Sequence, residues 1–236
     1  MIYAIGDIHG CLDQLLRLLD LVAGDAAARG VARPRVVFLG DYIDRGPDSK
    51  GVLDLLSSGS LGARFEPVYL LGNHDMALMS ILRGGDPSAD WIEEEGGWAT
   101  MQSYGDFRAR GPKQAAKRFR AAVPEAHKAF LADLEISWRA DGLFFSHAGY
   151  SPRFALDEQP YGALVYGDPA MLSDRRPKGA EEARARLGAR VVHGHWRDRE
   201  AVVLAHRVCV DTGAGYATGR LSAAAIDVDD VRVLGA

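Results

Sequence analysis

An α/β fold is the class this sequence predicts, and three observations carry the prediction. Short apolar runs recur along the 236 residues, each closed by glycine or a polar residue. Helical patterns alternate with these runs. The positions just after the runs are rich in carboxylate, imidazole and amide side chains. Runs that are apolar at every position belong to strands covered on both faces, as in layered α/β proteins. Strand–helix alternation points the same way.

Taken in order, the first strand is IYAI before Gly6. Leu12, Leu15, Leu16 and Leu19 then follow the i, i+3, i+4, i+7 rule and predict a helix with all four on its buried face. RVVFL before Gly40 is the second strand. Pro47 fits the first position of a helix running through Val52, Leu55 and Leu56. PVYLL before Gly72 is the third strand, and Ala77 to Leu82 a helix stopped by Gly84 and Gly85. From Gly84 to about Ala140 the texture changes. Trp91, Trp98 and Tyr104 stand among acids and glycines, and a helical stretch runs from Pro112 to Leu134. This reads as a helical insertion within one domain covering 1–236, since no linker, repeat or low-complexity tract sets off a second unit. LFF before Ser146, ARVV before His193 and RVCV before Asp211 complete the buried strands. Mixed charges from Lys178 to Arg190 read as a solvated helix, and LSAAAID and VRVL as closing antiparallel strands.

The bulk composition excludes several classes. With 47% apolar and 25% charged residues the chain can build a substantial core. A net charge of −4 with interspersed signs offers no basic stripe for nucleic acid. Cys11 and Cys209 are too few for a disulfide framework and read as buried thiols. No basic leader precedes the first strand, and no apolar run approaches the ~18 residues of a membrane span, so a cytoplasmic protein is expected. Nothing in the sequence fixes the oligomeric state.

The residues after the strands carry the chemistry. Asp7 and His9 follow the first in GDIHG; Asp41, Asp44 and Arg45 follow the second in GDYIDRG; Asn73, His74 and Asp75 follow the third in GNHD. His147 lies in SHAG, and His193 and His195 in HGH. Strand ends of an α/β sheet converge on one crevice. Oxygen and nitrogen donors without thiolate suit Mn²⁺, Fe or Zn²⁺. Two ions about 3.5–4 Å apart would clamp a phosphoryl group and make hydroxide available near neutrality.

In this order, GDIHG, GDYIDRG, GNHD, SHAG and GHW resemble the phosphoprotein-phosphatase branch of the calcineurin-like metallophosphoesterases. The likeness runs from Met1 to about Gly219 and includes DTGAGYATGRL, where Tyr216 is a further candidate substrate contact. It is closest to the small bacterial serine/threonine protein phosphatases, with symmetrical diadenosine tetraphosphate hydrolases as near relatives. The resemblance implies two mixed β-sheets sandwiched between helices and a pair of divalent ions, Mn²⁺ first. It implies that Asp7 and His9 hold one ion, that Asp41 bridges, and that Asn73, His147 and His195 complete the other. His74, paired with Asp44, would protonate the leaving oxygen, and Arg45 would grip the phosphate with its bidentate fork. A hydroxide bridging the ions would attack phosphorus.

One departure stands out. Bacterial relatives commonly carry Trp-x-Arg, a second phosphate clamp, where this chain has Tyr166, Gly167 and Asp168. Arg175 or Arg176 would then have to reach in. YGD and GHW look like the dinucleotide hydrolases, whereas the intact DRG looks like the protein phosphatases. The expected activity is therefore a metal-dependent phosphomonoesterase acting on phosphoserine or phosphothreonine and small aryl phosphates. The alternatives are symmetrical diadenosine tetraphosphate hydrolysis and, in another class, a non-catalytic metal-binding module. A nuclease of the wider superfamily would end in GHxH, and Arg197 occupies that last position.

Overall fold

Two five-stranded sheets pack face to face at the centre of the molecule, with helices against their other faces. The structure is a computed structural model and describes residues 1–107, 112–174, 179–227 and 230–236. The strands are β1 (Ile2–Ile5), β2 (Arg35–Phe38), β3 (Glu66–Tyr69), β4 (Ser137–Ala140), β5 (Leu143–Ser146), β6 (Arg190–His193), β7 (Val202–Val203), β8 (Arg207–Cys209), β9 (Ser222–Asp227) and β10 (Asp230–Gly235). The α-helices are α1 (Leu12–Ala28), α2 (Ser49–Ser57), α3 (Asn73–Leu82), α4 (Ala89–Glu93), α5 (Gly97–Tyr104), α6 (Pro112–Ala122), α7 (Glu125–Ala132), α8 (Tyr161–Val165) and α9 (Ala180–Leu187). Among the described residues no helix is long and apolar enough to cross a membrane.

The first sheet has the order β10-β9-β1-β2-β3, with β1, β2 and β3 parallel and β9 and β10 antiparallel. The second has the order β4-β5-β6-β8-β7, parallel through β5, β6 and β8 and antiparallel at both edges. This is the mixed-sheet sandwich the resemblance implied. The continuous apolar runs have a simple cause. Successive side chains alternate between faces, so Ile2 and Ala4 join Val37, Phe145, Val192 and Val208 between the sheets. Tyr3 and Ile5 face the other way, into the cluster formed with α1. Both faces are dry, so both must be apolar.

Several expectations need correction. Leu16 is 45% exposed; the buried stripe of α1 is Leu15, Leu18, Leu19, Val22 and Ala26. Pro47 lies outside α2, whose N-cap is Asp48, its carboxylate accepting from Gly51 N. Helix α3 begins at Asn73 rather than Ala77, so GNHD is its first turn. The stretch from Pro112 to Leu134 is two helices, because Pro124 has no N–H to continue α6 and its ring would clash with the preceding turn. Arg190 is buried at the start of β6, outside the solvated helix. Strands β4 and β7 were not expected; each is an edge strand, and edges carry little of the buried-run signal.

Candidate metal centre

The turns after β1, β2, β3, β5 and β6 converge, and their backbones are unusual. Among the described residues six non-glycine positions have φ between 45° and 73°: His9, Asp41, Asp44, Arg45, Asp141 and His195. All but Asp141 are candidate site residues. Left-handed backbone is costly for such residues and persists only where surroundings over-determine it. Here they do. Ile8 and His9 both donate N–H to Asp41 O, Gly10 N–H to Tyr42 O, and Gly46 N–H to His9 O. Asp75 completes the lock: its carboxylate accepts from the main-chain N–H groups of Asp41, Tyr42 and Gly72 at 2.8–3.0 Å. The sequence placed Asp75 at a strand end but gave it no role.

Donor atoms within 4.8 Å of one another form two groups that share Asp41: His9, Asp41 and His74, and Asp41, His147 and His195. Asp41 Oδ2 lies 3.4 Å from His147 Nε2, 3.7 Å from His9 Nε2 and 3.9 Å from His74 Nε2. The imidazoles are aimed from behind. His9 Nδ1 is 2.8 Å from Ile43 O and His147 Nδ1 2.8 Å from Leu39 O, which turns each Nε2 toward Asp41. Asn73 Oδ1 lies 3.0 Å from His147 Nε2 and 2.9 Å from His195 Nδ1. Asp7 stands outside both donor groups, where its carboxylate accepts from His195 N at 3.1 Å.

Electrostatics favour a cation here. Burial, and then the carboxylates of Asp211 and Asp41, push the Asp7 carboxyl well above the ordinary value. Burial raises Asp211 as well. Burial draws His9 down to about 3 and His195 to about 4, so both imidazoles are neutral at pH 7 and can offer a lone pair. Buried carboxylates, neutral imidazoles and an amide oxygen, with neither cysteine among them, form a donor set that fits hard-to-borderline divalent ions. Backbone packs directly behind the carboxylates: a Cβ on Gly194 would run into Asp7, and one on Gly72 into Asp41.

Beside the cradle sits a hydrogen-bonded pair. His74 Nδ1 is 2.7 Å from Asp44 Oδ2. Burial alone would lower the His74 pKa, but the carboxylates of Asp41 and Asp44 hold it above the usual histidine value. Asp44 is gripped by the helical insertion: Trp91 Nε1 donates to Oδ2 at 2.8 Å and Thr100 Oγ1 to Oδ1 at 2.6 Å. Gly96 O accepts from Arg45 N, and a side chain at Gly96 would displace that backbone. Trp91 does pack inward, as expected for an aromatic of the insertion. Its donation to Asp44, and the part played by Thr100, link positions about fifty residues apart and left no local signal. The guanidinium of Arg45 lies against the His9 ring, with Nη1 3.0 Å from Nδ1 and in contact with Nε2.

The YGD departure is a packing unit with GHW. Gly167 has φ 84° and backs directly onto the Trp196 indole, leaving no space for a side chain. Trp196 Nε1 donates to Ala148 O, and Asp168 accepts from Ser151 Oγ at 2.6 Å. Arg175 and Arg176 lie outside the described residues. Tyr216 is 39% exposed, and its ring carries two cations: the guanidinium carbon of Arg45 at 5.0 Å and that of Arg197 at 4.0 Å from the ring centroid. His193 is buried beside Arg207 and Gly194 O rather than in a donor group. His127 bridges Tyr104 and Asp54, a structural contact, and His206 is likewise buried.

Comparison with known proteins agrees with the fold. The profile of the calcineurin-like phosphoesterases matches residues 1–233. A symmetrical bis(5'-nucleosyl)-tetraphosphatase of Legionella pneumophila (strain Corby) is 38% identical over 113 residues, covering 43% of this chain and 38% of the relative. The match thus spans well under half of that relative's length. A solved structure provisionally assigned as a diadenosine tetraphosphatase superposes with a TM-score of 0.64 at 22% identity, covering 99% of this chain and 92% of that one. A serine/threonine phosphatase from Saccharomyces cerevisiae gives 0.53 at 15% identity, covering 99% and 78%. At those identities the two structures speak to the fold.

Proposed function

The chain belongs to the calcineurin-like phosphoesterase family, and from that premise we propose that it hydrolyses dinucleoside tetraphosphates symmetrically, releasing two nucleoside diphosphates. The observation that carries this reading is the contact of Gly167 with Trp196. That contact fixes the turn in which Asp168 stands where the bacterial protein phosphatases carry a second clamping arginine, and Asp168 accepts from Ser151 instead of facing phosphate. The sequence relative reported above is named for the nucleotide activity. The phosphoserine and phosphothreonine substrates expected first from the sequence have only a likeness of fold behind them.

Asp7, His9, Asp41, Asn73, His147 and His195 would hold two divalent ions, with Asp41 between the two donor groups. Such ions supply Lewis acidity toward phosphoryl oxygens and lower the pKa of bound water to about 7. Arg45 binds the non-bridging oxygens of the scissile phosphoryl group through its planar fork. His74, whose pKa its carboxylate neighbours hold above the usual histidine value, delivers a proton to the departing phosphate oxygen, a general-acid role. Asp44 orients the ring for that transfer, and Trp91 and Thr100 fix Asp44.

The test is a paired kcat/KM measurement on diadenosine tetraphosphate and on a phosphoserine peptide with manganese-loaded protein. Two ADP per nucleotide, at a kcat/KM at least tenfold above the peptide, is the expected result. Preference for the peptide, or ATP and AMP as products, would remove the proposal.

A further inference from the structure

We infer that Arg197 is a specificity-determining residue that binds phosphate groups beyond the scissile one, so that the site selects a polyphosphate chain over a phosphomonoester. The inference deepens the proposed function and rests on that reading.

Arg197 holds the position where a GHxH motif would place its last histidine, and the structure turns it outward. Its stem crosses Gly213, where an added Cβ would meet Arg197 Cδ at 3.0 Å and Cγ at 3.4 Å. Any side chain at 213 would push the arginine aside. The guanidinium then stacks on Tyr216, the ring that also carries Arg45. The two guanidinium carbons are therefore no farther apart than the sum of their distances to one centroid. A phosphate chain of a few units spans such a gap.

A guanidinium held over a ring keeps its in-plane N–H donors for oxygen acceptors. Arg197 also lines an open cavity of about 670 Å³ with Arg199, Asp198, Thr212 and Thr218. The acid among them is already engaged: Asp198 Oδ1 accepts from Arg199 N at 2.7 Å. The cavity adjoins the cradle through its own backbone. Gly213 N donates to Asp211 Oδ1 at 2.9 Å, and Gly215 sits against His9 and Arg45. A phosphate chain leaving the ion site would thus meet Tyr216, Arg197 and the exposed Thr218; the Thr212 hydroxyl is buried and taken up by Arg220 O and Ser222. A monoester would reach Arg45 and stop short of them.

Calorimetry with non-hydrolysable probes tests this without turnover. Manganese-loaded wild type, Arg197→Ala and Arg197→Lys are titrated with a bis-methylene triphosphonate and, separately, with methylphosphonate. Loss of a charge-assisted contact of this kind predicts that alanine weakens the triphosphonate about tenfold more than methylphosphonate. Lysine should fall between alanine and wild type, since it keeps the charge without the fork. Equal weakening of both probes, no change in either, or a lysine variant as weak as alanine would overturn the assignment. Failure to cleave diadenosine tetraphosphate would count against the proposed reaction and leave this binding result standing.

Discussion

The turns of the first sheet and those of the second meet at one cradle but contribute differently to it. The β1, β2 and β3 turns hold four of the five left-handed site residues, His9, Asp41, Asp44 and Arg45, and are cross-linked by main-chain hydrogen bonds and by Asp75. The β5 and β6 turns contribute His147 and His195, and both take their aim from the other sheet: His147 from Leu39 O, His195 from Asp7 and Asn73. What the second half adds on its own is the outer face, with Trp196, Arg197 and Tyr216. On the proposed function, the difference assigns the reaction mainly to the first half and the choice of substrate to the outer face of the second.

Three substitutions probe that division. Asp41→Asn should be the most severe, because among the described residues Asp41 alone belongs to both donor groups. The expected outcome is a fall in kcat of at least about 10³-fold with an unchanged circular dichroism spectrum. Activity within tenfold of wild type would mean that the halves work separately. Trp91→Phe asks whether the insertion supports the reaction half alone. It removes one donor from Asp44 and should lower kcat about tenfold. KM and bound metal should stay as they were; a rise in KM with kcat intact would place Trp91 in the substrate half instead.

The mildest concerns the scaffold of the first sheet, far from the chemistry. Asp25 on α1 accepts from Tyr3 on β1 at 2.6 Å and from Arg232 on β10 at 2.8 Å. Burial pushes its carboxyl up, but these hydrogen bonds outweigh burial and hold it below the ordinary value. A carboxylate so depressed adds stability above the unfolded-state pKa of aspartate, about 3.9, and loses it as the pH drops through the folded value. Asp25→Asn should lower the melting temperature at pH 7 by roughly 2–4 °C. The gap should close on acidification, with turnover at pH 7 unaffected at permissive temperature. A gap that does not narrow at all as the pH is lowered would assign the effect to packing.

Much of this was legible in the sequence because of where the strands lie. β1, β2, β5 and β6 are largely dry on both faces, so they announce themselves as apolar runs, and a ligand-type residue follows within three residues of each strand end. Strands β4 and β7 lie at an edge, where one side faces no partner, and their composition does not stand out. The boundary at Val123 and Pro124 was written in the proline, yet the helical pattern resumes so soon that the two helices read as one. Trp91, Thr100 and Asp75 escaped for a different reason. Their partners lie in a distant turn or on backbone N–H groups, and no local spacing records either. Arg197 was visible only as a residue that was not histidine; its value lies in stacking on Tyr216, nineteen positions away in the chain.

One consequence follows from how the cradle is divided. Asp7, Asp41 and Asn73 ride on one sheet, and His147 and His195 on the other, so a chain with only one sheet formed owns half a socket. A molecule in which only one sheet has formed therefore lacks the complete donor set. The donor set is complete only where the two layers meet.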